Sequence, residues 1–503
     1  MSNHKKINSM VAFCAAVVFI AGCIPENSLE WSEDGSVGLL RVEEGLYIVD
    51  GKTGDLTEVV KGDIGLLPDI SKDGNLIAYS EKIDCNSLSK GLGLFPPGQV
   101  KMIKYYAEKT KKNILDAQGL VDEKFPFPEE GLLLPEDYRN WAIRYLCENA
   151  DNELLDVLGS EGIEKGKEKA ISYFQIVVAP SKNPTQKRIV AVSVFSIIAT
   201  RLSPDTKSVA YLMHTQEGEV SNAMEEFGLY IASLDTDIKA MYVDSRVAFG
   251  YDWREDGQAI AYLSADSKDL LHDDIILGTL SEKVVADANG SLLTNPMDIP
   301  DHGSAGTHRC TGKTAELAGT VFYPWFKVEY GLDNRIFFSS FDLPLPASKR
   351  DEAGCSLFCY DPVTATVADV LPLSVSNHTS QQVLSISLFS LSPDGKRVLL
   401  PIEHNRFIVY TLGTDSMEIP VREEDGFGEE EIPELPPSWK GNNEFSCLVS
   451  GKSIFLSFEP QEGRDKADRR EIVVLGKDGK TWKAWILSWN WPAEMKIDSP
   501  DNK

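Results

Sequence analysis

Apolar residues in this chain come mostly in short runs broken by tight polar turns, and one arrangement of them recurs. Its clearest copy is Leu391-Ser392-Pro393-Asp394-Gly395-Lys396-Arg397-Val398-Leu399-Leu400. It reads as a strand end, a turn and a second strand. Pro presets φ, Asp bonds its own backbone, and Gly takes positive φ. Further copies are Trp31-Ser32-Glu33-Asp34-Gly35, Ile70-Ser71-Lys72-Asp73-Gly74, Leu202-Ser203-Pro204-Asp205-Thr206 and Trp253-Arg254-Glu255-Asp256-Gly257. Each is followed by an apolar strand. Two weaker copies are Trp325 with Leu332-Asp333-Asn334-Arg335, and Trp439-Lys440-Gly441-Asn442-Asn443. The count is seven units.

A third strand follows most copies, as at Leu46 to Val49, Leu229 to Ala232, Leu357 to Tyr360 and Phe407 to Tyr410. A polar turn and a fourth strand come next. Four short antiparallel strands per repeat describe a propeller blade. The unit resembles the TolB-like, or WD-repeat-like, repeat, whose consensus reads roughly W-S-P-D-G-K-x-I-A-F. The resemblance implies an all-β fold, a seven-bladed β-propeller over residues 29–492 with a C-terminal tail at 493–503. It implies no activity, because propellers host many unrelated roles. Trp31, Trp253, Trp325 and Trp439 recur near the end of the innermost strand, where large apolar residues pack blade on blade.

The period changes once. From about Cys85 to Ala170 apolar residues recur at helical spacing, as in Val100, Ile103 and Ala107, or Tyr138, Trp141, Ala142 and Tyr145. This predicts an α-helical insertion at 85–170, between the second and third strands of blade two. Three other long segments are Asp287 to Thr320, Leu343 to Gly354 and Arg422 to Pro437. In an antiparallel blade the first-to-second and third-to-fourth turns share one face of the disc. As second-to-third loops or blade-to-blade connections, all four long segments leave from the other face. That face is the expected binding surface, since long loops on a rigid scaffold carry function.

The N-terminus stands apart. Lys5 and Lys6 precede an apolar run from Met10 to Gly22, too short to span a bilayer and right for a signal segment. Ala21-Gly22-Cys23 resembles the bacterial lipoprotein signal. The resemblance implies a signal peptide at 1–22, thioether lipidation and N-acylation of Cys23, palmitate included, and a tether at 23–28. Ile24, rather than Asp, implies an outer-membrane lipoprotein of the cell envelope. The bilayer is then one partner. The formal charge of −27 disfavours nucleic acid and anionic headgroups. It suits a cationic ligand or envelope protein, with the acidic run Glu423, Glu424, Asp425, Glu429, Glu430 and Glu431 as candidate contacts.

Cys85 and Cys147 flank most of the insertion and are a candidate disulfide. His302 and His308 lie near Cys310 in one loop and are candidate binding residues, without metal-ligand spacing. No cofactor is expected. Gly51-Lys52-Thr53, Gly312-Lys313-Thr314 and Gly451-Lys452-Ser453 lack the earlier Gly of a phosphate-binding loop. His302-Gly303-Ser304-Ala305-Gly306 lacks the first Gly of a nucleophile elbow. The reading is a membrane-anchored binding or scaffolding propeller with no catalytic residue assigned. Its rival is a glycan- or lactone-cleaving propeller enzyme with a site at the central channel mouth.

Overall fold

The computed structural model describes residues 28–488, apart from 43–44, 52–55, 63, 117–135, 215–226, 236–239, 266–275, 297–307, 324, 342–354, 372–387, 403–405, 415–416, 419–437, 443, 447–453, 458–468 and 476–480. The lipidation candidate Cys23, the acidic run Glu423 to Glu431, and His302 lie outside the described residues.

The strand alternation folds as antiparallel four-stranded blades. The first holds β1 (Ser28–Trp31), β2 (Val37–Val42), β3 (Gly45–Asp50) and β4 (Leu56–Lys61). The second holds β5 (Asp69–Ile70), β6 (Leu76–Cys85), β7 (Ile171–Pro180) and β8 (Arg188–Ser193). The third is built on β9 (Ile197–Leu202), β10 (Ser208–His214), β11 (Phe227–Ser233) and β12 (Met241–Ser245). The fourth begins with β13 (Val247–Trp253), β14 (Ala259–Ala265) and β15 (Ile276–Val284). The chain then leaves to add β16 (Thr294–Pro296) and β17 (His308–Cys310) to the outer edge of blade three, where β17 runs parallel to β12. It returns as β18 (Thr314–Phe322), the fourth strand of blade four.

The fifth blade holds β19 (Val328–Tyr330), β20 (Ile336–Phe341), β21 (Cys355–Asp361) and β22 (Thr366–Asp369). The sixth holds β23 (Ser390–Leu391), β24 (Arg397–Ile402), β25 (Arg406–Thr411) and β26 (Met417–Glu418). The last repeat does not form a four-stranded blade. β27 (Ser438–Lys440) and β28 (Glu444–Ser446) form a hairpin. β29 (Ile454–Ser457), β30 (Arg469–Leu475) and β31 (Thr481–Ser488) form a separate sheet in the order β29-β31-β30. The fold is an all-β propeller with six blades, not the seven the repeats predict. The last repeat supplies an inner hairpin, and β27 closes the ring between β23 and β1.

Each turn is held as its sequence suggests. The Ser32 hydroxyl donates to Asp34 Oδ1 (2.7 Å) and accepts from the Val37 amide (3.1 Å). Ser71–Asp73, Ser203–Asp205 and Ser392–Asp394 repeat this at 2.6, 2.6 and 2.7 Å. The amide of Ser36 and the hydroxyl of Ser71 hold the Asp34 and Asp73 carboxyls below the usual carboxylate range. Gly35, Gly74, Gly257 and Gly395 take φ of 64–69°, which costs an L side chain steric strain. Thr206 and Asn334 adopt it at 57° and 63° where Gly is missing.

Between β6 and β7 the chain forms α1 (Leu88–Leu92), α2 (Pro97–Asp116), α3 (Glu136–Glu148) and α4 (Asn152–Lys167). Leu88, Phe95, Ile103, Tyr138 and Trp141 are buried with blade residues Ile171, Ile176 and Phe195 in one apolar cluster. Trp141 Nε1 donates to the Ser172 carbonyl (2.8 Å). Gln99 bonds the Ser193 hydroxyl and the Val194 amide, both at 3.0 Å. A second cluster lies among the helices, around Ala107, Ile143, Cys147 and Leu154.

Two expectations are corrected here. Cys85 and Cys147 are free, buried thiols. Cys85 lies beside Trp141, across Gly91, and Cys147 sits six residues further along α3. The two thiols belong to different apolar clusters, Cys85 to the one shared with the blade and Cys147 to the one among the helices. The segment Asp287 to Thr320 is not a blade-to-blade connection. It holds β16, β17 and most of β18, and its excursion joins the third and fourth strands of blade four. It therefore leaves on the tight-turn face, and Gly290 approaches Asp205 and Lys207 there. The expected division into one plain and one elaborated face fails for this reason.

The turns supply the first test. Ser203→Ala leaves the Ser208 amide and Asp205 without their shared hydroxyl, which should cost about 1–2 kcal/mol in urea unfolding. Thr185→Ala, which removes an exposed bond to Asn183, should cost no more than about 0.5 kcal/mol. Equal losses would show that the turn hydroxyl has no special weight.

Candidate functional site

The innermost strands surround an axis, and their ends on the tight-turn face enclose a cavity of about 230 Å³. One position of each repeat faces it: Glu30, Asp69, Arg201, Asp252, Glu329 and Ser390, with Ser438 from the last hairpin. The next residue in each strand is Trp31, Ile70, Leu202, Trp253, Tyr330, Leu391 or Trp439. Strand alternation turns successive side chains to opposite sides. The polar residue looks down the channel, and its apolar neighbour enters the seam between blades.

The channel carboxylates bind backbone of the following blade. Asp69 Oδ2 accepts from the Leu202 amide (2.6 Å), Asp252 Oδ2 from the Tyr330 amide (2.8 Å), and Glu329 Oε2 from the Leu391 amide (2.8 Å). The indoles bond in the opposite sense. Trp253 Nε1 donates to the Arg201 carbonyl (3.0 Å), and Trp439 Nε1 to the Ser390 carbonyl (2.9 Å). Trp325 does not belong to this series. It stacks on Tyr323 with ring centroids 4.9 Å apart, and Tyr330 takes the inner-strand position instead.

Charge around the cavity is uneven. Glu30, Glu33, Asp69, Asp252, Glu255 and Glu329 face only Lys72 and Arg201. Lys72 pairs with Glu255 on the rim. Arg201 Nη1 donates to Asp252 Oδ1 at 2.7 Å. Burial works against the Arg201 cation, yet Asp252, Asp69 and Glu30 together hold its pKa above the ordinary guanidinium value. Glu329 Oε1 accepts from Lys327 Nζ at 2.6 Å. Burial pushes the Asp69 carboxyl up to about 7, against the pull of Arg201 and the Leu202 amide. Nearby Glu30 and Asp252 push in the same direction as burial.

The site residues chosen from sequence are not brought together here. His308 lies on β17, at the outer edge of blade three, paired with Met241 and Pro296. Among the described residues its buried Nδ1 has no hydrogen-bond partner, and it does not line the cavity. Cys310 is buried and donates weakly to the Val284 carbonyl at 3.5 Å. Among the described residues no group of three or more His, Cys, Asp or Glu has the arrangement of a metal site. The channel series was present in the sequence as the residue before each aligned Trp, Leu, Ile or Tyr.

No protein-family model and no curated protein matches the sequence. Solved structures share its overall course. An oligogalacturonate lyase from Vibrio parahaemolyticus aligns at 12% identity over 74% of this chain and 72% of its own, with a TM-score of 0.37. A putative TolB from Agrobacterium tumefaciens aligns at 14% over 68% and 79%, with a TM-score of 0.31. A β-propeller domain from Myceliophteria thermophila aligns at 8% over 92% and 97%, with a TM-score of 0.39. The neighbours thus include TolB-like and other propeller proteins, a likeness of fold and not of chemistry.

Asp69 makes the stability pH-dependent. Its folded pKa of about 7 lies above the ordinary aspartate value of about 3.9. Between those values the folded chain keeps a proton that the unfolded chain has lost. Its stabilising share is complete below about pH 4 and disappears as pH rises through about 7. Asp69→Asn should therefore raise the melting temperature, relative to wild type, more at pH 8 than at pH 5. The same difference at both pH values would refute the assignment.

Proposed function

We propose that this chain is a lipid-anchored propeller of the bacterial cell envelope that binds a cationic group at the mouth of its central channel. The group belongs to an envelope protein or a small ligand. The observation that carries the reading is the charge of the cavity, where six carboxylates face two cations. The aromatic residues beside the cavity are already engaged, with Lys440 over the Trp31 ring at 5.4 Å and Arg397 over the Trp439 ring at 5.5 Å, so the reading rests on the carboxylates. Anchoring through acylated Cys23 follows from the resemblance of the N-terminal segment to lipoprotein signals. No helix among the described residues is long and apolar enough to cross a membrane.

Glu33 and Glu255 give the binding test, because neither carries an inner-strand amide. Glu33→Gln with Glu255→Gln should weaken capture of a lysine- or arginine-rich peptide about tenfold or more at low salt, with the melting temperature little changed. Neutralising Glu429, Glu430 and Glu431 is the comparison. If that variant loses capture and the channel variant does not, the site lies on the acidic run instead.

Cys23→Ser tests the anchor. The variant should leave the detergent-requiring membrane fraction while still being exported, and unchanged fractionation would refute lipidation.

The enzymatic reading keeps one specific support. A carboxyl with a pKa near 7 lies in the range of a general acid, and Asp69 is such a group. Glycan or lactone turnover that is lost in Asp69→Asn, with the fold intact, would favour it over the binding role.

A further inference from the structure

We propose that the exposed face of α2 docks on anionic phospholipid headgroups and sets the ring helix-side down on its membrane. The orientation rests on the lipid-anchor reading of Cys23, whereas the contact rests on charge and shape alone. Lys101, Lys104, Tyr105, Glu108, Lys109 and Lys112 are exposed. They follow one another at helical spacing and so share one side of α2. The opposite side, with Gln99, Ile103, Ala107, Thr110 and Ile114, is buried. Four lysines, with Glu108 among them and Asp116 at the end of the helix, form a basic stripe on a chain of net charge −27. Among the described residues none of the four has a carboxylate partner, whereas neighbouring Lys111 is paired with Asp151. Lys104 Nζ lies 5.9 Å from the Tyr145 ring centre.

Tyr105 stands in the middle of the stripe at 57% exposure. A tyrosine ringed by lysines suits the bilayer interface, where the ring enters the headgroup layer and the ammonium groups meet phosphate. Nucleic acid and acidic protein share the charge but not the geometry of the tether.

That geometry follows from strand direction. β1 starts at Ser28 and runs toward the Asp-Gly turns, so the chain enters on the opposite face. β6 ends and β7 begins on that same opposite face, because they are the second and third strands of their blade. Gln99 is fastened to Ser193 and Val194, at the end of a fourth strand, again on that face. Cys23 lies five residues before Ser28, a reach of roughly 18 Å. A lipid on Cys23 therefore draws to the membrane the face that carries α2. The channel mouth faces the other way and stays open to partners.

The test uses the full chain in vesicles of phosphatidylglycerol and phosphatidylcholine. A dye is attached at Tyr105→Cys, or at Val363→Cys in a turn of the tight-turn face, where Val363 is 91% exposed. Flotation reports the anchor, and acrylamide quenching reports which face is shielded. We expect shielding at position 105 and none at 363. With Lys101, Lys104, Lys109 and Lys112 all changed to Gln, shielding should vanish while flotation persists. Equal quenching at both positions in floating protein overturns the docking and leaves the anchor standing. Protein that does not float refutes the anchor, and the stripe is then read from sedimentation with the same vesicles. There the four-lysine change should lower affinity about a hundredfold or more. Affinity for phosphatidylcholine alone that equals affinity for the anionic mixture overturns the proposal. So does shielding seen in native envelopes but not in pure lipid, which identifies an acidic protein as the occupant.

Discussion

Everything in this ring depends on how very short innermost strands are held to one another. β5 and β23 are two residues long and carry few ladder bonds of their own. Their stability comes from the seams. A carboxylate of one blade accepts an amide of the next, at Asp69–Leu202, Asp252–Tyr330 and Glu329–Leu391. An indole then donates back at Trp253–Arg201 and Trp439–Ser390. A charge-assisted bond to a buried amide is among the stronger ones available to a protein. It fixes the angle between blades more narrowly than apolar packing alone.

The same seam concentrates charge at the axis. Carboxylates placed to reach the next blade also face one another across the channel, and Arg201 offsets only part of their repulsion. Burial above all, with a smaller push from Glu30 and Asp252, makes Asp69 hold its proton to about pH 7. The ring therefore has a structural use for its acids and a residual negative field that attracts a cation. Glu33 and Glu255 add to that field without bonding an inner-strand amide. Of the two, Glu255 is already paired with Lys72, so a cationic ligand would compete with that lysine there.

The repeat was legible because its turn chemistry is local. Ser-x-Asp-Gly holds a turn through contacts within five residues, and those contacts appear in the structure as hydroxyl and amide bonds around Asp34, Asp73, Asp205 and Asp394. Features set by distant pairing were not legible. The excursion after β15 looks in sequence like a linker, yet it adds β16 and β17 to the neighbouring blade. The six-blade count also turned on pairing, since Trp439 opens a repeat whose later strands pair in a different order. Trp325 matched the pattern by residue type while Tyr330 held the position by register. The channel series was readable in principle, as the residue before each seam residue. It was missed because its residue types vary between Glu, Asp, Arg and Ser.

Strand parity links the tether to the channel. A blade of four antiparallel strands sorts every connection onto one face or the other, whatever its sequence. The segment after β15 is a third-to-fourth connection and falls beside the Asp-Gly turns. The helices form a second-to-third connection and fall on the face where Ser28 enters. On the proposed anchoring at Cys23, a tether near Ser28 would bring the helical insertion to the membrane, with the basic stripe of Lys101 to Lys112 on α2. The acidic channel mouth is then turned away from the repelling headgroups. The basic stripe of α2 and the acidic channel mouth are thus local features on different faces, a separation that the net charge of −27 conceals.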